Sequence, residues 1–103
     1  MAYNVLLTRS AENDLDEIIG YIMNDLCNPT AAAALLDAIA ATYAHLSETP
    51  HMYALCQAKL LSPSGYRKAV IRGYLMIYRI DEERQFVYVE RFFSDLEDFE
   101  HNI

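Results

Sequence analysis

Most of the Lys and Arg side chains of this sequence fall in one stretch: Lys59, Arg67, Lys68, Arg72, Arg79, Arg84 and Arg91, with Tyr66, Tyr74, Tyr78 and Tyr88 interleaved. Cations set among aromatic rings neutralise phosphates and stack on bases, the chemistry of single-strand nucleic-acid binding. The same side chains equally suit an acidic protein surface, or a solvated sheet face held by cross-strand packing. Other chemistries find little here. His45, His51 and His101 share no metal-ligand spacing, so no metal site is expected. Ser62, Ser64 and Ser94 lie near no obvious base, and no glycine-rich phosphate loop or dinucleotide fingerprint is present. No cofactor is expected.

The elements that must position these residues follow from periodicity. Residues 3–8 form a short apolar run with aromatic and β-branched character, and Ser10 is placed to cap a following helix. Ala11, Leu15, Ile18, Ile19, Ile22 and Leu26 then recur at spacings of three and four. Glu12, Asp14, Asp16 and Glu17 take the other positions and read as a solvated acidic face suited to the helix dipole, rather than as a convergent catalytic pair. Asn28-Pro29 opens a second helix, with an apolar stripe through Ala32, Leu35, Leu36, Ile39, Tyr43 and Leu46. Its alanine-rich start permits close approach to the first helix, as an αα-hairpin. The stretch from Ser47 to Gly65 has no sustained period and reads as an irregular connection.

Beyond Gly65 the pattern changes to strands over 66–71, 74–80 and 86–93, separated by turns at Arg72-Gly73 and at Asp81 to Arg84. One strand, two helices and three strands leave few arrangements. The expected fold is α+β, ordered βααβββ, with the helical hairpin on one face of a small antiparallel-rich sheet and the first strand at an edge. Alternation puts Arg67, Ala69 and Ile71 on one face, and Lys68, Val70 and Arg72 on the other. Some of the arginines should therefore project from the uncovered face into a groove.

With 103 residues, the chain is expected to be a single domain, 1–103. The formal charge of -7 argues against general attraction to nucleic acid, although acidic residues gather at 12–25, 81–83 and 95–100, away from the cations. Cys27 and Cys56 are too few for a disulfide framework. No apolar run approaches a bilayer-spanning length and the start lacks a secretory layout, which gives an expectation of a cytoplasmic protein.

Three stretches, YNVLLTRSAENDLDEIIGYI (3–22), GYRKAVIRGYLMIYRIDEE (65–83) and VYVERFFSDLEDFE (87–100), together resemble the RelE/ParE superfamily of bacterial type II toxins over nearly the whole chain. The resemblance implies the toxin of a plasmid-stabilisation or addiction system, neutralised by a cognate antitoxin in a hetero-oligomer. RelE-like members cleave messenger RNA on the ribosome with basic residues and a proton-transfer group; ParE-like members inhibit DNA gyrase without nuclease residues. Leu75 stands where RelE-like nucleases tend to carry arginine, and Ser94-Asp95-Leu96-Glu97-Asp98 replaces a closing motif that is often basic. Carboxylates oppose the charge that develops on a phosphate in flight. The leading expectation is thus ParE-like inhibition of a protein target such as gyrase. The resemblance carries over Arg67, Lys68, Arg72, Arg79 and Arg91 as target-contact candidates, and Lys59, in the same basic stretch, is added to them. The alternatives are a RelE-like endoribonuclease, in which Arg67, Lys68, Arg72 or Arg79 acts with Tyr78, or an inactivated relative serving as an antitoxin-binding module.

Overall fold

The computed structural model of the chain describes residues 2–53 and 65–94. Strand β1 (Asn4–Leu7) is followed by helices α1 (Arg9–Gly20) and α2 (Pro29–Glu48), then by strands β2 (Arg67–Ile71), β3 (Tyr74–Asp81) and β4 (Phe86–Phe93). The sheet order is β1-β4-β3-β2. The three later strands are antiparallel neighbours, whereas β1 lies parallel to β4, with Leu7 opposite Val89. The expected α+β order and the edge position of β1 are both found.

Thr8, not Ser10, caps α1. Its backbone is extended (ψ 163°), and its hydroxyl oxygen accepts the Ala11 N–H at 3.1 Å while donating to the Glu90 carbonyl at 2.9 Å. One threonine thus ends the strand, starts the helix and ties both to β4. The α1 spiral then widens into a π-helical turn over Tyr21–Asp25, where the Leu26 N–H reaches back to the Tyr21 carbonyl, and it stops at Cys27 in a left-handed conformation (φ 50°). That extra residue per turn rotates the stripe, so Ile22 is buried but Leu26 is 54% exposed. Asn28 then caps α2 by accepting the Ala31 N–H, with Pro29 in the first turn, as the sequence predicts. The α2 stripe runs through Ala32, Leu35, Ile39, Thr42 and Leu46; Leu36 falls outside it. Thr42 tolerates burial because its hydroxyl donates to the Ala38 carbonyl.

Between β2 and β3, Arg72 (φ 50°) and Gly73 (φ 87°) both take positive φ, the signature of a tight type I′ hairpin turn. Ala69 and Ile71, with Met76, Tyr78, Val87, Val89 and Phe92 across the sheet, face the helices and form the core. In β4 the buried positions skip from Val89 to Phe92 because Glu90 bulges: Tyr78 opposes Val89, but Ile77 opposes Arg91. Leu75, Ile77 and Phe93 point to the opposite sheet face, yet are only 4%, 2% and 7% exposed.

Candidate functional site

The sheet face away from the helices carries three of the candidate cations in a pattern fixed by register. Lys68, Ile77 and Arg91 form one cross-strand row; Val70, Leu75 and Phe93 form the next; Arg79 sits opposite Tyr88. Arg67 is on the helix-facing side of β2 opposite Tyr78, and Arg72 is in the hairpin turn. Among the described residues, the candidates therefore do not converge on one groove. Lys59 and the acidic stretch Asp95 to Asp98 lie outside the described residues.

Each arginine that reaches a strand interior is already engaged. Arg79 donates from Nε to Glu90 Oε2 at 2.6 Å, and its guanidinium lies 4.3 Å from the centre of the Tyr88 ring. Arg91 grips Asp14 with two hydrogen bonds, 2.6 and 3.1 Å, and lies 5.0 Å from the Phe93 ring centre. Those bonds, before any longer-range attraction, hold the Arg91 guanidinium above its ordinary pKa. Arg67 donates to the Tyr53 carbonyl at 2.6 Å, which anchors the short turn after α2. Tyr78 is wholly buried, with its hydroxyl donated to the Pro50 carbonyl at 2.7 Å. In that position it packs the core and touches no open surface. Among the described residues, Lys68 and Arg72 are the candidates without a side-chain hydrogen bond or ion pair.

Asp14, which the sequence places on a solvated acidic face, is instead largely buried and accepts hydrogen bonds from Arg91 and from the Phe92 backbone. Strand β1 is too short to flank the last residues of β4, and Asp14 of α1 takes its place: Oδ2 accepts the edge N–H of Phe92 at 3.0 Å. One carboxylate thus closes a free sheet edge and neutralises Arg91. The signal was in the spacing, since Asp14 stands three residues after Ala11 and one before Leu15, inside the apolar stripe rather than opposite it. Glu90 was equally visible, as the residue that breaks the alternation of Val87 and Val89 before Phe92.

Two adjoining clefts open where α1 meets the end of the sheet at which β3 begins and β4 finishes. One, about 440 Å³, is lined by Glu17, Ile18, Tyr21, Tyr74 and Ser94. The other, about 310 Å³, shares Glu17, Ile18 and Ser94 and adds Asp14, Arg91, Phe92 and Phe93. At the opposite end of the sheet, Glu82 accepts from Tyr3 at 2.8 Å and meets His51 Nε2 at 2.9 Å. The Tyr3 hydrogen bond, then that of His51, holds the Glu82 carboxyl below its usual range.

A helical hairpin on a four-stranded mixed sheet, with a parallel first strand beside the last, defines the fold of the RelE/ParE toxins. The ParDE system of P. aeruginosa superposes with TM-score 0.70 at 18% identity, over 91% of this chain and 97% of that one. The RelBE2 toxin-antitoxin complex of Mycobacterium tuberculosis follows with TM-score 0.63 and 24% identity, over 90% and 98%. An arginine-substituted E. coli toxin RelE in the free state gives 0.66 at 14%, over 99% and 93%. No curated protein sequence matches the chain. Residues 5–99 match the family described as the ParE toxin of the type II toxin-antitoxin system parDE, and the chain belongs to that family.

Proposed function

We propose that this chain poisons its host by binding a protein target, in the manner of gyrase inhibition, and that a cognate antitoxin silences it in a hetero-oligomeric complex. The supporting observation is the fate of the sheet arginines. A phosphate arriving at Arg79 or Arg91 would have to displace Glu90 or Asp14, carboxylates already hydrogen-bonded at 2.6 Å. Stabilising a transition-state phosphate requires cations whose donors are open to it, aimed at the developing charge. Leu75, only 4% exposed on the same side of the sheet, supplies no donor to a phosphate. Such a face suits a folded partner better than a polyanion. The whole chain, 1–103, acts here as one toxin domain in the cytoplasm; no helix among the described residues is long and apolar enough to cross a membrane.

Induced expression of the chain should arrest growth, and purified toxin should block gyrase supercoiling while leaving ribosome-bound message intact. Normal supercoiling at saturating toxin would sink the gyrase version. The endoribonuclease reading rests on Lys68 and Arg72, whose charges are not internally matched, and message cleavage in a purified translation system would establish it. Folded protein that causes no arrest would leave only an inactivated, antitoxin-binding relative.

A further inference from the structure

We infer that the cleft between α1 and the β3/β4 sheet end receives a Lys or Arg side chain from the antitoxin's neutralising segment, an inference that rests on the toxin-antitoxin reading above. Tyr21 is 51% exposed and borders the cleft together with Tyr74 and Ile18. Glu17 stands on the same rim. Among the described residues its carboxylate makes no hydrogen bond or ion pair, although its field contributes to the raised pKa of Arg91. Two tyrosines, Ile18 and a carboxylate without a hydrogen bond, gathered around one cleft, suit a cation, which aromatic rings and a carboxylate both attract.

Arg91 does not fill that role from within, because its Nε and one Nη2 hydrogen are turned to Asp14 and it forms no hydrogen bond to Glu17. Nor do residues 95–103 supply a matching charge: they hold Asp95, Glu97, Asp98 and Glu100 and no Lys or Arg. At about 440 Å³ the cleft has room for more than one side chain, as expected for a peptide segment that inserts a basic anchor beside apolar neighbours. The formal charge of -7 adds a long-range pull on the same partner. This inverts the charge relation of a basic toxin and an acidic inhibitor.

The probe is the protein encoded by the reading frame adjacent to this gene, purified and titrated calorimetrically against the folded toxin. Glu17→Lys should weaken binding at least about tenfold, and Tyr21→Ala by a similar factor. Asp37→Lys, the same charge change at an exposed site on α2, should change it less than about threefold. A Lys→Glu or Arg→Glu change in the partner that restores affinity to Glu17→Lys, but not to wild type, would identify the inserted cation. Equal losses from Glu17→Lys and Asp37→Lys, or full affinity in Tyr21→Ala, would overturn the cleft while leaving the antitoxin reading standing. If the wild-type chain does not bind that protein at all, both fall together.

Discussion

Replacing Asp14 tests whether a single carboxylate completes the sheet. In Asp14→Ala the Phe92 N–H loses its acceptor at 3.0 Å, in a part-buried position, which costs about 1–2 kcal/mol. The two bonds to Arg91 disappear as well. The Arg91 side chain is 43% exposed and can rehydrate, so this part is discounted to roughly 1 kcal/mol rather than the value of a buried pair. The sum, about 2–3 kcal/mol, is a sizeable share of the ~5–15 kcal/mol that holds a domain folded. Asp14→Asn keeps an oxygen for Phe92 but loses the charge and turns the acceptor of the Arg91 Nη2 bond into a donor, for about 1 kcal/mol. Urea unfolding followed by far-ultraviolet circular dichroism should show both midpoints lowered at unchanged slope, with Ala below Asn. The thermal midpoint of Asp14→Ala should fall by roughly 10–20 °C. Adding Arg91→Ala closes a double-mutant cycle with a coupling of about 1 kcal/mol. An Asp14→Ala protein within about 0.5 kcal/mol of wild type, the range of ordinary surface changes, would refute the edge-closing role.

Other expectations follow from the polar groups that the core holds. The Tyr43 hydroxyl is buried without a hydrogen-bond partner among the described residues, and burial pushes its pKa up to about 12. Tyr43→Phe should therefore be neutral or stabilising by up to about 1 kcal/mol in chemical denaturation. Because the folded pKa lies above the unfolded value of 10, the related stability is full below pH 10 and lost as pH climbs towards 12. Alkaline titration of Tyr43→Phe should show a smaller loss. Tyr78→Phe strips the Pro50 carbonyl of its donor and should cost about 1–2 kcal/mol, while leaving growth arrest intact in protein shown to be folded. Complete loss of toxicity from that change would return Tyr78 to the catalytic candidates. Glu82 has a depressed carboxyl pKa, so its contact with Tyr3 contributes above the ordinary carboxylate range and is lost as pH falls through the lowered value. Carboxyl-detected NMR should find the Glu82 midpoint moving up in Tyr3→Phe; an unmoved midpoint contradicts the hydrogen bond as its main cause.

What could be read from the sequence divides along the range of the forces involved. Local signals, such as Asn28-Pro29 opening α2 and Arg72-Gly73 turning a hairpin, reappear in the structure because a few neighbouring residues decide them. The stripe over Ala11, Leu15, Ile18 and Ile22 held for the same reason. It failed at Leu26, where the π turn changes the residues per turn and no residue type announces it. The cap moved from Ser10 to Thr8 because β4 competes for it: Thr8 alone can bond Glu90 while capping Ala11. The site was the less legible part. Face assignment by alternation was sound within β2 and β3, but whether an arginine is free depends on partners such as Asp14, 77 residues away in sequence from Arg91. Spacing alone does not report such a pairing.

The charge pattern follows from the same geometry. A four-residue β1 leaves the end of β4 without a strand neighbour, and a helix carboxylate fills the vacancy. Once Asp14 is there, Arg91 on the adjacent residue is drawn into its field and removed from the stock of available cations. Glu90 is freed by the bulge from strand pairing and does the same to Arg79. Two of the chain's carboxylates are therefore placed where they cancel particular arginines, and a third, Glu17, is left facing an aromatic cleft a turn away on the same helix. On the toxin-antitoxin reading proposed above, the same allocation leaves Glu17 at the cleft as the negative group a basic partner would meet.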